Sequence, residues 1–184
     1  VKKNKRRCFW CGEDPLYVNY HDAEWGEPVR NDDKLFEQLT LEGAQAGLSW
    51  LIILRKRENY RKAFARFNPK KVAGFKKTKI EKLILDQGIV RHRGKIISTV
   101  NNAKIFLAMQ KEYGSFSRWL WKHAQENKIR HRLKSSTSPL ALKLSKDLKK
   151  RGMKFVGPSI IHAFLQAVGV FSDHQPECWK FSKK

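Results

Sequence analysis

The sequence predicts an all-α protein. Three observations carry this. Apolar residues recur at helical spacing along most of the 184 residues, no stretch sustains the alternation of a half-buried strand, and the periodic segments are punctuated by capping residues and glycines. About seven helices are expected, without internal repeats, in a single unit spanning residues 1–184.

The segment "DDKLFEQLTLEGAQAG" carries Leu35, Phe36 and Leu39 on one face and runs into Gly47. "SWLIILRKRENYRKAF" opens at Ser49 as an N-cap and ends before Asn68 and Pro69, which suit the N-cap and first turn of another helix. "TKIEKLILDQG" reads as a capping box from Thr78 to Glu81, closed by Gly88. A long amphipathic helix then places Ile96, Ile97, Val100, Ala103 and Leu107 on one side and stops near Gly114, and "SFSRWLWKHA" forms a shorter one. Residues 125–138 are polar and basic with no periodicity and read as a loop. "SPLALKLSKDLKKRG" starts at Ser138 and Pro139 and stops at Gly152, and the last helix runs from Pro158 to Gly169.

Charge narrows the partners. Lys and Arg number 39 against 17 Asp and Glu, a formal net charge of +22, which favours nucleic acid first and an anionic membrane surface second. No apolar run approaches the ~18 residues of a membrane span. The basic "VKKNKRR" is followed by no apolar segment, so no secretory signal is expected. Three cysteines fit reduced thiols or a metal better than a disulfide framework.

The last two helices are joined by "GMKFVG" alone, with Gly152 and Gly157 five residues apart. Such a turn exposes backbone amides, and the second helix points its free N–H groups outward. A phosphate fits there, with Lys149, Lys150, Arg151 and Lys154 around it.

In this basic chain, "DPLYVNYHDAEWG" gathers Tyr17, Tyr20, His21 and Trp25 among the acids Asp14, Asp22 and Glu24. Glu42 stands between Leu41, Gly43 and Ala44, a small apolar setting in which a buried charge requires a partner. His174 and Cys178 have ligand spacing, and Cys8 and Cys11 form a Cys-x2-Cys pair at the other end of the chain. On spacing alone, Cys8, Cys11, His174 and Cys178 form a structural zinc set.

The hairpin segment "KKRGMKFVGPS" resembles the helix-hairpin-helix of base-excision DNA glycosylases, the family of endonuclease III. Bifunctional members carry a Schiff-base lysine two residues after the last hairpin glycine. Here Ser159 stands there, which implies a glycosylase without lyase activity. With "CFWCGEDPLYVNYHDAEWG", "LFEQLTLEGAQAGLSW", "GIVRHRGKI", "LKKRGMKFVGP" and "DHQPEC" in this order, the chain is similar to the 3-methyladenine DNA glycosylase I family from Arg7 to Cys178.

That resemblance implies a helix-hairpin-helix glycosylase fold, with the hairpin at about 139–169 and a zinc site joining the N- and C-terminal segments. It implies a base pocket of Trp10, Tyr17, Tyr20, Trp25, Glu42 and Trp50, in which Glu42 accepts hydrogen bonds from the adenine edge, Tyr20 adds another and Trp50 stacks. Glu42 and Tyr20 are the catalytic candidates, with Asp173 in reserve. Lys150, Arg151, Gly152, Lys154 and Gly157 would hold DNA, and His92 could touch it. The zinc set it implies is Cys8, His21, His174 and Cys178, with His21 in place of Cys11. The implied partner is double-stranded DNA containing alkylated bases, met by a monomer in the bacterial cytoplasm, associated with the nucleoid. The chemistry is coherent: a basic exterior attracts phosphate, while rings and carboxylates favour a cationic methylated base over adenine. The alternative is a non-catalytic zinc-stapled DNA-binding module, which would need no Glu42 among aromatics.

Overall fold

The computed structural model describes residues 5–126 and 136–181, so most of the loop expected over 125–138 lies outside the described residues. Among the described residues there are nine α-helices and no strand: α1 (Pro15–Ala23), α2 (Asp32–Gln45), α3 (Trp50–Ala63), α4 (Pro69–Ala73), α5 (Lys77–Leu85), α6 (Arg93–Tyr113), α7 (Phe116–Glu126), α8 (Pro139–Lys150) and α9 (Pro158–Ala167). None is long and apolar enough to cross a membrane.

The caps explain most boundaries. Asn68 accepts from the Lys71 amide at 3.1 Å and Ser138 from the Ala141 amide at 3.1 Å, and both are followed by proline. α1 goes beyond the expected elements. It is started by Asp14, whose carboxylate accepts from the amides of Leu16 and Tyr17, with Pro15 at the first position. The expected capping box does not form. Thr78 lies inside α5, Lys76 is its N-cap, and Glu81 reaches Arg93 at 2.7 Å instead. Nor does Gly88 close α5, which ends at Leu85; Gly88 donates its amide to Asp86 at 2.7 Å in the following turn. The long helix buries Ile96, Val100, Ala103, Phe106 and Met109, whereas Ile97 faces solvent.

α2 is the spine. It packs against α3, α6, α7 and α9, and buries Leu35, Phe36 and Leu39. Phe36 meets Phe106 edge-on at 5.2 Å, and Phe106 stacks on Phe116 at 4.3 Å. Each such fully buried ring contributes roughly 1.5–3 kcal/mol. α8 and α9 form a hairpin whose turn is held by α6: Asn102 accepts from the Lys154 amide at 3.0 Å and donates to its carbonyl at 2.8 Å, and Asn101 donates to the Gly152 carbonyl. Phe155 takes a positive φ of 54° in this turn, and a Cβ on Gly43 would lie 3.2 Å from the Phe155 carbonyl oxygen. A side chain at position 43 would crowd the hairpin backbone, which would have to shift by a few tenths of an ångström.

Candidate active site and metal centre

α1, α2, α3 and α9, with flanking turns, line an open cavity of about 300 Å³. All six expected pocket residues line it: Trp10, Tyr17, Tyr20, Trp25, Glu42 and Trp50. Trp10 lies 5.2 Å from Tyr17 and 4.9 Å from Trp25, and Tyr20 lies 5.5 Å from Trp50, so the rings form a continuous wall. Trp25 serves twice, because its far side packs edge-on against His174 at 4.7 Å. The indole Nε1 of Trp50 is buried without a hydrogen-bond partner.

Glu42 is 4% exposed, and Gln38, one turn earlier, donates to it at 2.8 Å. Burial pushes its carboxyl up to about 8, with the Gln38 hydrogen bond acting in the opposite direction. Burial likewise holds the Tyr20 hydroxyl well above the ordinary phenol range, with the nearby Glu42 adding to the shift. A cation entering this cavity would favour the ionised carboxylate. The end of α2 is fixed by Lys95, whose ammonium donates to the carbonyls of Ala44 and Ala46 at 2.8 and 2.7 Å.

Gln45, Gln166, Asp173 and Gln175 supply polar groups to the same cavity. Asp173, held in reserve on sequence, accepts from Gln166 at 2.6 Å. The glutamines and Lys95 escape sequence reading because amides and a lysine look like surface residues. The i, i+4 spacing of Gln38 and Glu42 is the one local pattern from which the pairing could have been read.

A second constellation shares α1. The ligand atoms of Cys8, His21, His174 and Cys178, all buried, lie within 4.8 Å of one another and could hold a metal ion. Cys8 Sγ is 3.5 Å from His174 Nδ1, and Cys178 Sγ is 3.4 Å from His21 Nε2 and 3.6 Å from His174 Nδ1. Bond lengths of about 2.3 Å to sulfur and 2.0–2.1 Å to nitrogen at a tetrahedral ion imply a sulfur–nitrogen edge of roughly 3.6 Å. The donor set therefore fits. Burial pushes the Cys8 thiol up to about 12 and, with His21 beside it, the His174 imidazole down to about 4. Asp22 accepts at 2.8 Å from Nδ1 of His21 and is itself gripped by Arg7 at 2.7 Å, which holds its carboxyl well below the usual range. Cys11 stands apart from the cluster, its thiol 3.6 Å from the Gly12 carbonyl. The set suggested by spacing alone is thus replaced by the one containing His21.

The hairpin residues divide. Lys150, Gly152 and Lys154 are exposed and Gly157 is half-buried as the N-cap of α9. Arg151 is half-buried and lies along the surface, on Glu112 at 2.5 Å, Asp147 at 3.1 Å and the Tyr113 hydroxyl at 2.7 Å. His92 caps α6, accepting from the Lys95 amide at 3.2 Å.

A family model described as methyladenine glycosylase matches residues 10–181. The DNA-3-methyladenine glycosylase 1 of Escherichia coli (strain K12) is 45% identical over 177 residues, spanning 94% of this chain and 95% of the relative. The crystal structure of a 3-methyladenine DNA glycosylase I is similar with a TM-score of 0.92 at 42% identity, covering 96% of this chain and 100% of the other. A single-residue variant of such an enzyme, in complex with 3-methyladenine, is similar with a TM-score of 0.87 at 39% identity, over 94% of this chain and 96% of its own.

Proposed function

The chain belongs to the methyladenine glycosylase family, and from that premise we propose that it hydrolyses the N-glycosidic bond of 3-methyladenine in alkylated duplex DNA. It acts as a monofunctional glycosylase of base excision repair, its 184 residues forming one catalytic unit. The observation that carries this reading is Glu42, a carboxyl buried in an aromatic cavity with one neutral partner. A methylated adenine still attached to its sugar is cationic. Stacked among Trp50, Tyr20 and Trp10 it gains roughly 1–3 kcal/mol, and Glu42 ionises to meet its charge, whereas ordinary adenine offers no such compensation. The electron pair of the broken bond passes to the base, which leaves neutral, and water adds at the sugar carbon with loss of a proton. Because the leaving group is already good, Glu42 and Tyr20 chiefly bind and orient, with Asp173 lining the same cavity.

Cys8, His21, His174 and Cys178 would hold a structural zinc ion, whose closed four-donor set leaves no position for substrate. It would join the chain's two ends and fix α1, and with it Tyr20. α8 and α9 act as a helix-hairpin-helix, with Lys150, Lys154 and the amides near Gly157 on phosphate, while the Gly152 amide is used within the turn on the Lys149 carbonyl and Arg151 ties the turn to α6 through Glu112. A pure binding module has no use for Glu42 in its cavity. The deciding experiment is incubation with methylated DNA and chromatographic identification of the released base. Free 3-methyladenine is expected. No release, with DNA still bound, would restore the non-catalytic alternative.

A further inference from the structure

We propose that the lysine-rich face formed by the α3–α4 turn, α4 and α5 binds a second segment of duplex DNA, away from the base pocket. Residues 66–82 hold seven lysines and arginines against one carboxylate, Glu81, and Arg93 occupies that carboxylate at 2.7 Å. Arg66, Lys70, Lys71, Lys76, Lys77 and Lys82 are all exposed. Elsewhere the acids are matched with arginines, as in Arg7–Asp22, Arg55–Asp14 and Arg57–Glu24. Among the described residues, no ion pair engages the cations of this face.

The fold holds the charges outward. Val72 and Leu83 anchor α4 and α5 in the core, leaving Lys70, Lys71 and Lys82 on the far side. Arg66 is presented by a turn in which Ala65, Arg66 and Phe67 all have positive φ, 50°, 53° and 55°. Left-handed backbone costs roughly 1–2 kcal/mol per non-glycine residue, and the buried Phe64 and Phe67, stacked at 6.1 Å, hold it in place. Glu58 and Glu81 offset Arg66 and Lys77 only in part; the excess like charges repel one another within a Debye length of about 10 Å, and a polyanion removes that repulsion. α3 separates this face from the pocket: Trp50 lines the cavity at one end, and the 14-residue helix places Arg66 about 20 Å away. The α5 side of the face adjoins the start of α6 through Glu81–Arg93, whereas Arg66, Lys70 and Lys71 lie toward the far end of α3, and a duplex seated on the pocket and hairpin would leave that end to another segment, which would retain the enzyme on DNA as it moves between sites.

The test compares the parent with Lys70→Gln/Lys71→Gln/Lys76→Gln/Lys77→Gln, first confirming an unchanged melt. Affinity for long undamaged duplex is measured across salt concentrations, together with single-turnover base release from a short methylated duplex. The expected result is a log–log salt slope reduced by about 3–4, at about 0.9 per phosphate contact, loss of DNA–DNA bridging, and unchanged base release. The matching lysine-to-arginine variant should keep the parent's slope. An unchanged slope overturns the proposal, leaving a solvated face. A slope and a release rate that fall together overturn it too, placing these lysines in the lesion footprint. So does loss of binding to anionic lipid vesicles without any change on DNA. Because undamaged duplex is the probe, the result does not depend on which base the pocket accepts.

Discussion

The pocket and the metal centre are both built on α1, and they solve the same problem differently. Tyr17 and Tyr20 face the cavity, while His21 faces the cysteines. Each site takes polar groups out of water and, on the proposed reading, would be completed by a positive charge. In the metal centre four donors close around one point, and the outer contacts are supplied by the fold, with Asp22 on His21 and the Gln175 amide on Cys8 at 3.3 Å. In the pocket, Glu42 has one amide partner and opens onto about 300 Å³ of space. The first arrangement has no room for anything but an ion. The second leaves its deficit to be met by whatever enters, which is the physical difference between a staple and a recognition site.

The largest expected effect comes from breaking the staple. His21→Ala should lose the metal and melt far below the parent, because structural zinc contributes on the order of 10 kcal/mol in small zinc-dependent folds, comparable to a whole domain's stability. Chelation should have the same effect. Cys11→Ser should retain about one metal per chain and melt like the parent, since its thiol lies outside the cluster. Elemental analysis and thermal melts on both variants decide. Zinc kept by His21→Ala and lost by Cys11→Ser would reverse the assignment.

Glu42→Gln tests the other side and should leave metal content intact. The free base is neutral, so the ordinary hydrogen bond it loses contributes about 0.5–1.5 kcal/mol, and calorimetric titration should show free 3-methyladenine bound roughly 2- to 12-fold more weakly. Stability should respond in the opposite direction. The Glu42 carboxyl titrates near 8 when folded and near its ordinary 4.5 when unfolded, so between these values the folded protein holds the extra proton. Stability from this group is therefore fully present below about 4.5 and is lost as pH rises to about 8. The glutamine variant should lack that decline and be more stable than the parent near pH 8, by up to a few kcal/mol. Melts across pH 5–9 check it, and parallel curves for the two proteins would remove the buried carboxyl from the argument.

The contrast also sorts what was legible in the sequence. The fold class was legible in helical periodicity, and so were the starts at Asn68–Pro69 and Ser138–Pro139, where cap and proline act locally. α1 was passed over although Asp14–Pro15 is the same signal, because its side chains serve a pocket on one side and a metal cluster on another, and no single apolar stripe results. The capping box failed because a tertiary partner, Arg93, outcompeted a local bond for Glu81. Spacing alone chose Cys11. The motif resemblance selected His21, since only the fold brings the helix to the cysteines. The pairing of Arg151 with Glu112 and the clamp of Lys95 on α2 both link residues far apart in sequence, with no local pattern to announce them.

The smallest expected effect sharpens the boundary between pocket and core, and it concerns Trp50. Its indole Nε1 is buried with no partner, a cost of about 1–3 kcal/mol that the fold tolerates. Trp50→Phe keeps an aromatic face, removes that donor and gives up part of the ring area. The lost area and the removed penalty oppose one another, so the melting temperature should move little. The smaller ring should stack less well, and affinity for free 3-methyladenine should fall about three- to tenfold, within the roughly 1–3 kcal/mol that a stacked base contributes. Trp50→Ala should lose the whole of that contribution. Melts and calorimetric titration of both variants separate the roles of the ring. A phenylalanine variant that melts much lower but binds the base as tightly as the parent would assign Trp50 to the core, leaving Tyr20 and Trp10 as the stacking surface beside Glu42.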